Sequence, residues 1–228
     1  RFTLEMNSTV GGDVAGGTGS NILDLNGGAR VLGNVSDVTV QISLAGTAGD
    51  DNYYVTLDGG VLEVNDVPFL TPAGLVINLL VNTVDMAGDD FLTIDNSNGF
   101  IDANITFTGG GDNDSIRVIG QFSENALYIP DATTSGDGII TIIDAALDQV
   151  ITTTGLESVD FDSFGVLTLQ TAGSEDNVTL TAGRDSKTNT LEAVVISGDS
   201  DGTIFEAAHV RNVLSLVLDV ASEDAGSP

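Results

Sequence analysis

Apolar residues in this chain occur in short clusters that are rich in β-branched side chains and bounded by Gly, Asp, Asn or Ser. Several clusters alternate with polar residues. In Val38–Leu44, Val, Val, Ile and Leu share one face while Thr, Gln and Ser share the other. A period of two is typical of a β-strand with one buried face. The pattern therefore predicts many short strands joined by turns.

Helical spacing is confined to Phe205–Leu214 and Asp144–Gln149, and both segments are too short to define a helical protein. The predicted fold class is all-β. The predicted strands are Val38–Leu44, Tyr53–Leu57, Val61–Val64, Leu75–Val81, Phe91–Ile94, Ile105–Thr108, Ser115–Ile119, Ala126–Ile129, Ile139–Ile143, Val166–Leu169, Asn177–Thr181, Thr190–Ile196 and Val213–Val220.

A turn that ends in an acid precedes a strand at five places. The last acids of these turns are separated by 39, 24, 62 and 25 residues, which suggests coils of unequal length rather than a strict array. The turns are Ala48-Gly49-Asp50-Asp51, Ala87-Gly88-Asp89-Asp90, Gly111-Asp112-Asn113-Asp114, Ala172-Gly173-Ser174-Glu175-Asp176 and Gly198-Asp199-Ser200-Asp201.

Two architectures fit this pattern. A parallel β-solenoid (β-helix) over residues 1–228, as a single elongated domain, would stack the acidic turns at the strand spacing of about 4.8 Å. Two tandem antiparallel β-sandwich domains, divided near 108–112, would use the same turns as hairpins. One turn type before one strand type, the lack of Trp and only four Pro favour the solenoid. The start at Arg1, with no initiator Met, suggests a segment of a longer chain.

Charge excludes several partners. The 228 residues carry 34 Asp and Glu against 6 Lys and Arg, a formal net charge of −28. Binding to nucleic acid or to an anionic membrane surface needs clustered cations that this chain does not have. No apolar run reaches the length of a membrane-spanning helix, so no membrane insertion is expected. The absence of Cys excludes disulfides, thiol catalysis and zinc sites with Cys ligands.

Stacked acidic turns would place carboxylates a few ångströms apart, and like charges at that distance repel. Ca²⁺, which takes six to eight oxygen ligands, relieves such repulsion. The sequence thus predicts Ca²⁺ as a bound ion. The candidate ligands are Asp50, Asp51, Asp89, Asp90, Asp112, Asp114, Asp176, Asp199 and Asp201. Asp199-Ser200-Asp201-Gly202 begins like an EF-hand loop, but the twelfth position is Val210 where that loop needs Glu, so a full EF-hand is rejected.

The segment Gly109–Arg117 resembles the calcium-binding RTX nonapeptide, with Asp112 at a position where that repeat has Gly. The first two acidic turns keep the later Gly, the Asp and the apolar residue, but the units are tens of residues apart instead of in tandem. Together with Thr154-Gly155-Leu156-Glu157-Ser158-Val159-Asp160, they resemble the degenerate acidic β-repeats of large bacterial surface and adhesion proteins. The resemblance implies an extracellular, cell-surface location.

These observations predict a non-enzymatic structural module of a bacterial surface layer, filament or adhesin, stabilised by Ca²⁺. Its expected partners are other copies or neighbouring modules. The alternative is an adhesion domain that binds a glycan or a host, although only Tyr53, Tyr54 and Tyr128 are available as tyrosine platforms, and alternation puts the first two on opposite faces. A third hypothesis is a polysaccharide-active β-helix enzyme, since acid pairs are present. The chain has one His, His209, and few cations to hold a polyanion.

Overall fold

The computed structural model describes residues 2–4, 9–10, 14–15, 22–26, 30–31, 35–36, 39–70, 76–81, 87–145, 147–173 and 175–220. Within these ranges all regular structure is β-strand, so the predicted all-β class is confirmed. Val38, Leu75 and Ser174, which belong to predicted elements, lie outside the described residues.

The first part of the chain, up to residue 95, contains twelve strands. They are β1 (Phe2–Leu4), β2 (Thr9–Val10), β3 (Val14–Ala15), β4 (Ile22–Asn26), β5 (Arg30–Val31), β6 (Val35–Ser36), β7 (Thr39–Leu44), β8 (Asn52–Asp58), β9 (Val61–Val64), β10 (Val67–Leu70), β11 (Val76–Val81) and β12 (Phe91–Asp95). The second part has β13 (Asn104–Thr108), β14 (Ser115–Ile119), β15 (Asn125–Pro130), β16 (Gly138–Ile143), β17 (Asp148–Thr154), β18 (Ser158–Asp162), β19 (Val166–Gln170), β20 (Asp176–Arg184), β21 (Glu192–Ser200), β22 (Thr203–Arg211) and β23 (Ser215–Asp219).

Two large mixed sheets contain most of these strands. The ten-stranded sheet has the order β1-β4-β7-β11-β13-β17-β16-β15-β19-β23, and the nine-stranded sheet β10-β9-β8-β12-β14-β18-β22-β21-β20. From β7 to β23 the chain repeatedly passes from one sheet to the other, and the successive strands pair in parallel, as β7–β11–β13–β17 and β8–β12–β14–β18–β22. Six antiparallel pairs interrupt this winding: β8–β9, β9–β10, β15–β16, β16–β17, β20–β21 and β21–β22.

The register of the parallel strands explains the spacing of the first acidic turns. Phe91 lies opposite Asn52 and Ser115, at sequence separations of 39 and 24 residues. These are the separations of the first three turns. The following strand in this sheet pairs Ser115 with Ser158, 43 residues further on, because β15 and β16 intervene. The predicted step of 62 residues to the turn at Asp176 is therefore not a step in this stack.

Side chains from the facing sides of both sheets form one hydrophobic core. Val40 and Ile42 of β7 are fully buried, as the alternation predicted, and they share the cluster with Val55 of β8 and Ile94 of β12. Each such side chain stabilises the fold by about 1.5–3 kcal/mol relative to full exposure. The two sheets are thus held together by contacts between the inward-facing side chains of their strands.

Sequence reasoning located the strands listed above within a few residues at their ends, except for Thr190–Ile196, which is Glu192–Ser200, and Asn177–Thr181, which extends to Arg184. Ten strands were not among those predicted: β1 to β6, β10, β17, β18 and β22. The helical interpretation of Phe205–Leu214 was wrong, because Thr203–Arg211 is a strand with Ala208 and Val210 facing the core. The exposed Ile204 and the buried Glu206 of this strand obscured the period of two.

Candidate functional site: a stack of acidic turns

Three of the five predicted acidic turns stack on one another, and Glu157 adds a fourth level. The Asp51 backbone N–H donates to Asp90 Oδ1 at 2.8 Å, and the Asp90 N–H donates to Asp114 Oδ1 at 2.7 Å. The Asp114 N–H donates to Glu157 Oε2 at 2.6 Å. We call these four residues the acid column. The carboxylates of Asp90, Asp114 and Glu157 each bind the main chain of the preceding level, and that of Asp51 binds Thr47 in its own turn, so the column fastens neighbouring coils through charge-assisted hydrogen bonds.

A second row of polar side chains runs beside the acid column. Asp50 Oδ1 accepts the N–H of Asp89 at 2.9 Å, and Asp89 Oδ1 accepts the N–H of Asn113 at 3.0 Å. Asp112, which has a φ of 77°, accepts from the Gly88 N–H at 3.3 Å through Oδ2. The carboxylates of this row bind N–H groups of the next turn or the previous one, so the three turns are tied in both directions.

Glycine allows the turns to approach this closely. Gly88 has a φ of +102°, and a Cβ on it would lie 2.5 Å from the carbonyl carbon of Gly49 in the turn before. That distance is shorter than any real Cβ contact, and the opposing atoms belong to the backbone. The Ala-Gly-Asp-Asp sequence therefore supplies both the close packing and the carboxylates.

Asp114 is the most buried member of the column. Its exposed fraction is 0%, and its Oδ2 has no hydrogen-bond partner among the described residues. The pKa of Asp114 is raised to about 6: burial is the largest cause, the hydrogen bond from the Asp90 N–H opposes it, and the charges of Asp90, Glu157 and Asp89 add to the rise. One carboxylate oxygen is thus held in a buried acidic environment without a counter-charge.

The remaining two predicted turns form a separate pair at another place in the fold. Asp201, with a φ of 51°, and Gly202, with a φ of 80°, form the two-residue hairpin turn between β21 and β22. Asp201 Oδ1 accepts the N–H of Glu175 at 2.9 Å, and Asp176 Oδ2 accepts from a neighbouring hydroxyl. Asp199 lies within β21 and is not part of a loop. The structure thus does not bring Asp176, Asp199 and Asp201 to the acid column.

Among the described residues, no group of three or more acidic or His side chains is arranged to hold a metal ion. The carboxylates of the column instead point at backbone N–H groups. Among the described residues, the buried carboxylate oxygens without a hydrogen-bond partner are Asp114 Oδ2, Asp176 Oδ1 and Glu206 Oε1, and only the first belongs to the acid column.

Sequence reasoning missed Glu157 as a member of the stack, although a signal for it was present. Asp114-Ser115-Ile116 and Glu157-Ser158-Val159 share the order acid, Ser, apolar, and Ser115 pairs with Ser158 in parallel strands. In the first three turns Gly directly precedes an acid, whereas Leu156 separates Gly155 from Glu157. Alignment on the strand that follows each turn would have identified it.

Two carboxylates of β18 are buried and have partners inside the fold. Asp160 is 3% exposed and accepts hydrogen bonds from the backbone and hydroxyl of Ser186. Asp162 is 6% exposed and forms an ion pair with Arg211. Arg117, 2.9 Å from Asp185, also lies 3.8 Å from Asp160. Two of the six Lys and Arg residues, Arg117 and Arg211, therefore form ion pairs within the fold.

A buried acid–phenol pair crosses the core and was not foreseen. The Tyr128 hydroxyl of β15 donates to Glu206 Oε2 of β22 at 2.6 Å, and the two side chains are 0% and 4% exposed. Burial raises the pKa of Glu206 to about 7, because the hydrogen bond from Tyr128 offsets only part of the desolvation. Alternation places Glu206 on the same inward face as Ala208 and Val210.

The enzyme hypothesis depends on His209 and the glycan-binding hypothesis on the tyrosines, and these side chains form contacts within the protein. His209 Nδ1–H donates to the Arg184 carbonyl at 2.5 Å, so this nitrogen is occupied. Tyr53 is buried and Tyr54 is exposed, which confirms the predicted opposite faces, and the Tyr54 hydroxyl donates to Asp95. A single exposed tyrosine bound to a carboxylate is a poor stacking platform for a sugar.

Comparison with known proteins gave no match: no family model, no curated protein and no solved structure corresponds to this chain. In the part of the chain that the structure describes, no helix is both long and apolar enough to cross a membrane.

Proposed function

We propose that the chain is a non-enzymatic structural module of an extracellular bacterial assembly, such as a surface layer, a filament or an adhesin. The proposed architecture is a two-sheet β-solenoid interrupted by hairpins. The parallel pairing of successive strands in both sheets supports it over two antiparallel sandwiches, which would place neighbouring strands in opposite directions.

The acid column is the observation that carries this proposal. Its four residues are far apart in sequence, yet the side chains of Asp90, Asp114 and Glu157 all bind the main chain of the preceding level. Such repeated fastening between coils supports resistance to unfolding along the stack. The carboxylates of the column have little freedom for proton transfer to a substrate because backbone N–H groups hold them, which weighs against the enzyme hypothesis.

The proposal includes Ca²⁺ as a stabilising ion at the unpartnered Asp114 Oδ2, where the charges of Asp90 and Glu157 add to the negative potential without a three-carboxylate ligand set. The orphaned oxygen and the raised pKa of Asp114 support this, because both reflect negative charge without compensation. A hard divalent cation with oxygen ligands would supply that compensation and lower the pKa of Asp114. Solvent or turn carbonyl oxygens would complete the coordination.

Thermal unfolding at pH 8 with excess Ca²⁺ and with EGTA tests the ion. Ca²⁺ at 100 times its Kd contributes about 2.7 kcal/mol, which corresponds to roughly 5–10 °C for a domain of this size. Asp114→Asn keeps an acceptor for the Asp90 N–H and should lose the Ca²⁺ increment. Asp199→Asn, which removes the same charge from β21, should retain it. An identical melting temperature in Ca²⁺ and EGTA removes the ion from the proposal.

The location is tested separately on intact cells that produce the protein. An added protease should degrade the protein without lysis if it belongs to a surface assembly, whereas an intracellular marker should survive. A protein that is protected until lysis contradicts the extracellular role. A glycan array in Ca²⁺ examines the adhesion alternative, and specific binding there would replace the structural role with recognition.

A further inference from the structure

The outer surface of the ten-stranded sheet is almost free of charge. From β7 to β23, the only charged side chains among its described outward positions are Asp148 and Asp219, which lie at the ends of their strands. We call this surface the neutral face. Its uncharged members are Thr39, Gln41, Ser43, Asn78, Leu80, Asn104, Thr106, Thr108, Asn125, Leu127, Ile129, Ile139, Thr141, Ile143, Val150, Thr152, Thr154, Val166, Thr168, Gln170, Ser215 and Val217.

This absence of charge is unusual in a chain with 34 acidic residues. The opposite outer surface, on the nine-stranded sheet, has Arg117, Asp160, Asp162 and Arg211 on adjacent strands. Many of the other carboxylates lie in the acidic turns. The charges of the protein are thus distributed over its other surfaces, and the neutral face is the flat area that lacks them.

Apolar side chains are exposed on the neutral face, both on the inner strand β16 and on the edge strand β23. Ile139 and Ile143 of β16 are 45% and 40% exposed, and Val217 of β23 is 41% exposed. The strand register aligns Val150, Thr141, Leu127, Thr168 and Val217 in one row across five strands. In this row apolar side chains alternate with threonines, so the face combines exposed apolar groups with uncharged polar ones, and exposed apolar groups that cluster on a surface often mark an interaction site.

We propose that the neutral face is the contact between two copies of this chain, packed sheet to sheet. Charge identifies the occupant. Each copy carries −28, so two copies can approach closely only where neither presents carboxylates. A basic partner finds no acids to pair with on this face, and an acidic partner is repelled by the surfaces around it. The neutral face of a second copy is also an uncharged sheet surface, so the two faces can pack against each other without burying opposed carboxylates.

The size of the face agrees with this occupant. Eight strands, from β7 to β23, at about 4.8 Å spacing and about 3.3 Å per residue over five residues, cover roughly 38 by 17 Å. That area is about 650 Å² per copy and about 1,300 Å² in total, within the range of stable protein interfaces. The same patch on both copies satisfies the two-fold symmetry of an isologous dimer. Inward-facing side chains of paired sheets interdigitate at a separation of about 10 Å.

Sedimentation equilibrium of the purified chain tests the contact. A dimer in the micromolar range is expected, and it should tighten when NaCl rises from about 0.05 to about 0.5 M, because salt screens the repulsion between the two copies. Ile139→Asp buries an unpaired carboxylate in the contact and should weaken dimerisation by more than about a hundredfold. Ile139→Thr, which resembles the surrounding threonines, should weaken it by about tenfold or less.

The matched control is Leu180→Asp on β20, which makes the same change in charge at a residue of 48% exposure. It should dimerise like the wild type, and circular dichroism melts should show that both Asp variants are folded. If Ile139→Asp is unfolded, Val217→Asp replaces it with the same expectation. A wild-type monomer up to millimolar concentration in the higher salt overturns the proposal, as does a dimer that Leu180→Asp disrupts and Ile139→Asp leaves intact.

The proposed dimer contact names a second copy of the chain as the partner in the proposed structural role. To that extent the dimer proposal rests on the structural role. The two can fail independently. A protein protected from protease on intact cells removes the surface role while the dimer remains measurable. A monomeric protein whose neutral face binds a glycan, with binding lost in Ile139→Asp, overturns the homotypic contact in favour of recognition.

Discussion

The pair formed by Glu206 and Tyr128 should make the stability of the protein depend on pH. Glu206 is 4% exposed, its Oε2 accepts from the tyrosine hydroxyl, and its Oε1 has no partner among the described residues. Burial raises its pKa from 4.5 to about 7. The folded protein therefore holds this proton more tightly than the unfolded chain. The free energy of unfolding should fall as pH rises from 4.5 through 7, and the full loss should be present above pH 7.

The size of the effect follows from the two pKa values. At 1.36 kcal/mol per pH unit, the difference between 4.5 and about 7 corresponds to about 3 kcal/mol. Glu206→Gln cannot ionise, so this loss should be absent in the variant. Gln has a buried NH₂ group that costs about 1–3 kcal/mol if unpaired, but that cost does not vary with pH.

Urea unfolding from pH 4.5 to 8.5 provides the measurement. The difference in free energy of unfolding between wild type and Glu206→Gln should change by about 3 kcal/mol across this range. Asp114 and Glu124, whose pKa values are raised to about 6 and about 7, contribute to both proteins and cancel in the difference. Glu192→Gln, at an exposed position, is the control and should run parallel to the wild type. Parallel curves for wild type and Glu206→Gln would refute the assignment.

Three further variants examine the acidic turns and the loop after β20. Gly88→Ala should lose about 3 kcal/mol or more, since its Cβ meets backbone at 2.5 Å, whereas Gly111→Ala, with nothing within 4 Å, should be nearly neutral in the same melts. Glu157→Ala should lose about 1–2 kcal/mol with its hydrogen bond to the third turn, and Glu157→Gln should keep most of that stability; equal losses would contradict the role of the bond. Asp185→Ala should increase cleavage by trypsin after Lys187, because Asp185 accepts hydrogen bonds from several groups of that loop; an unchanged cleavage rate would show that the loop is held otherwise.

The low pKa of Asp185 makes stability depend on pH in the opposite direction to the raised pKa of Glu206. Burial raises the pKa, but hydrogen bonds from Leu191, Thr188 and Thr190 outweigh it and hold the pKa well below its usual value. The stability that Asp185 gives is present above its unfolded pKa of about 3.8 and is lost as pH falls below that value. The loop should therefore stay closed through the range in which Glu206 titrates.

The sequence by itself determined the local features of this protein. A period of two put Val40 and Ile42 inside and Thr39, Gln41 and Ser43 outside, because successive side chains of a strand point to opposite faces. Gly before paired acids marked the first three turns, and their spacings equal the register of β8, β12 and β14. These features depend only on neighbouring residues and on coils without insertions.

Only the tertiary structure decided which distant segments meet. The hairpin of β15 and β16 lengthens one coil, so the level after Asp114 is Glu157 and not Asp176, and no local pattern encodes that choice. The same holds for Glu206, whose burial depends on the phenol of a strand 78 residues away. Strand faces and turns follow from short-range sterics and burial, whereas pairing across insertions depends on which long-range contacts together bury the core and satisfy the carboxylates.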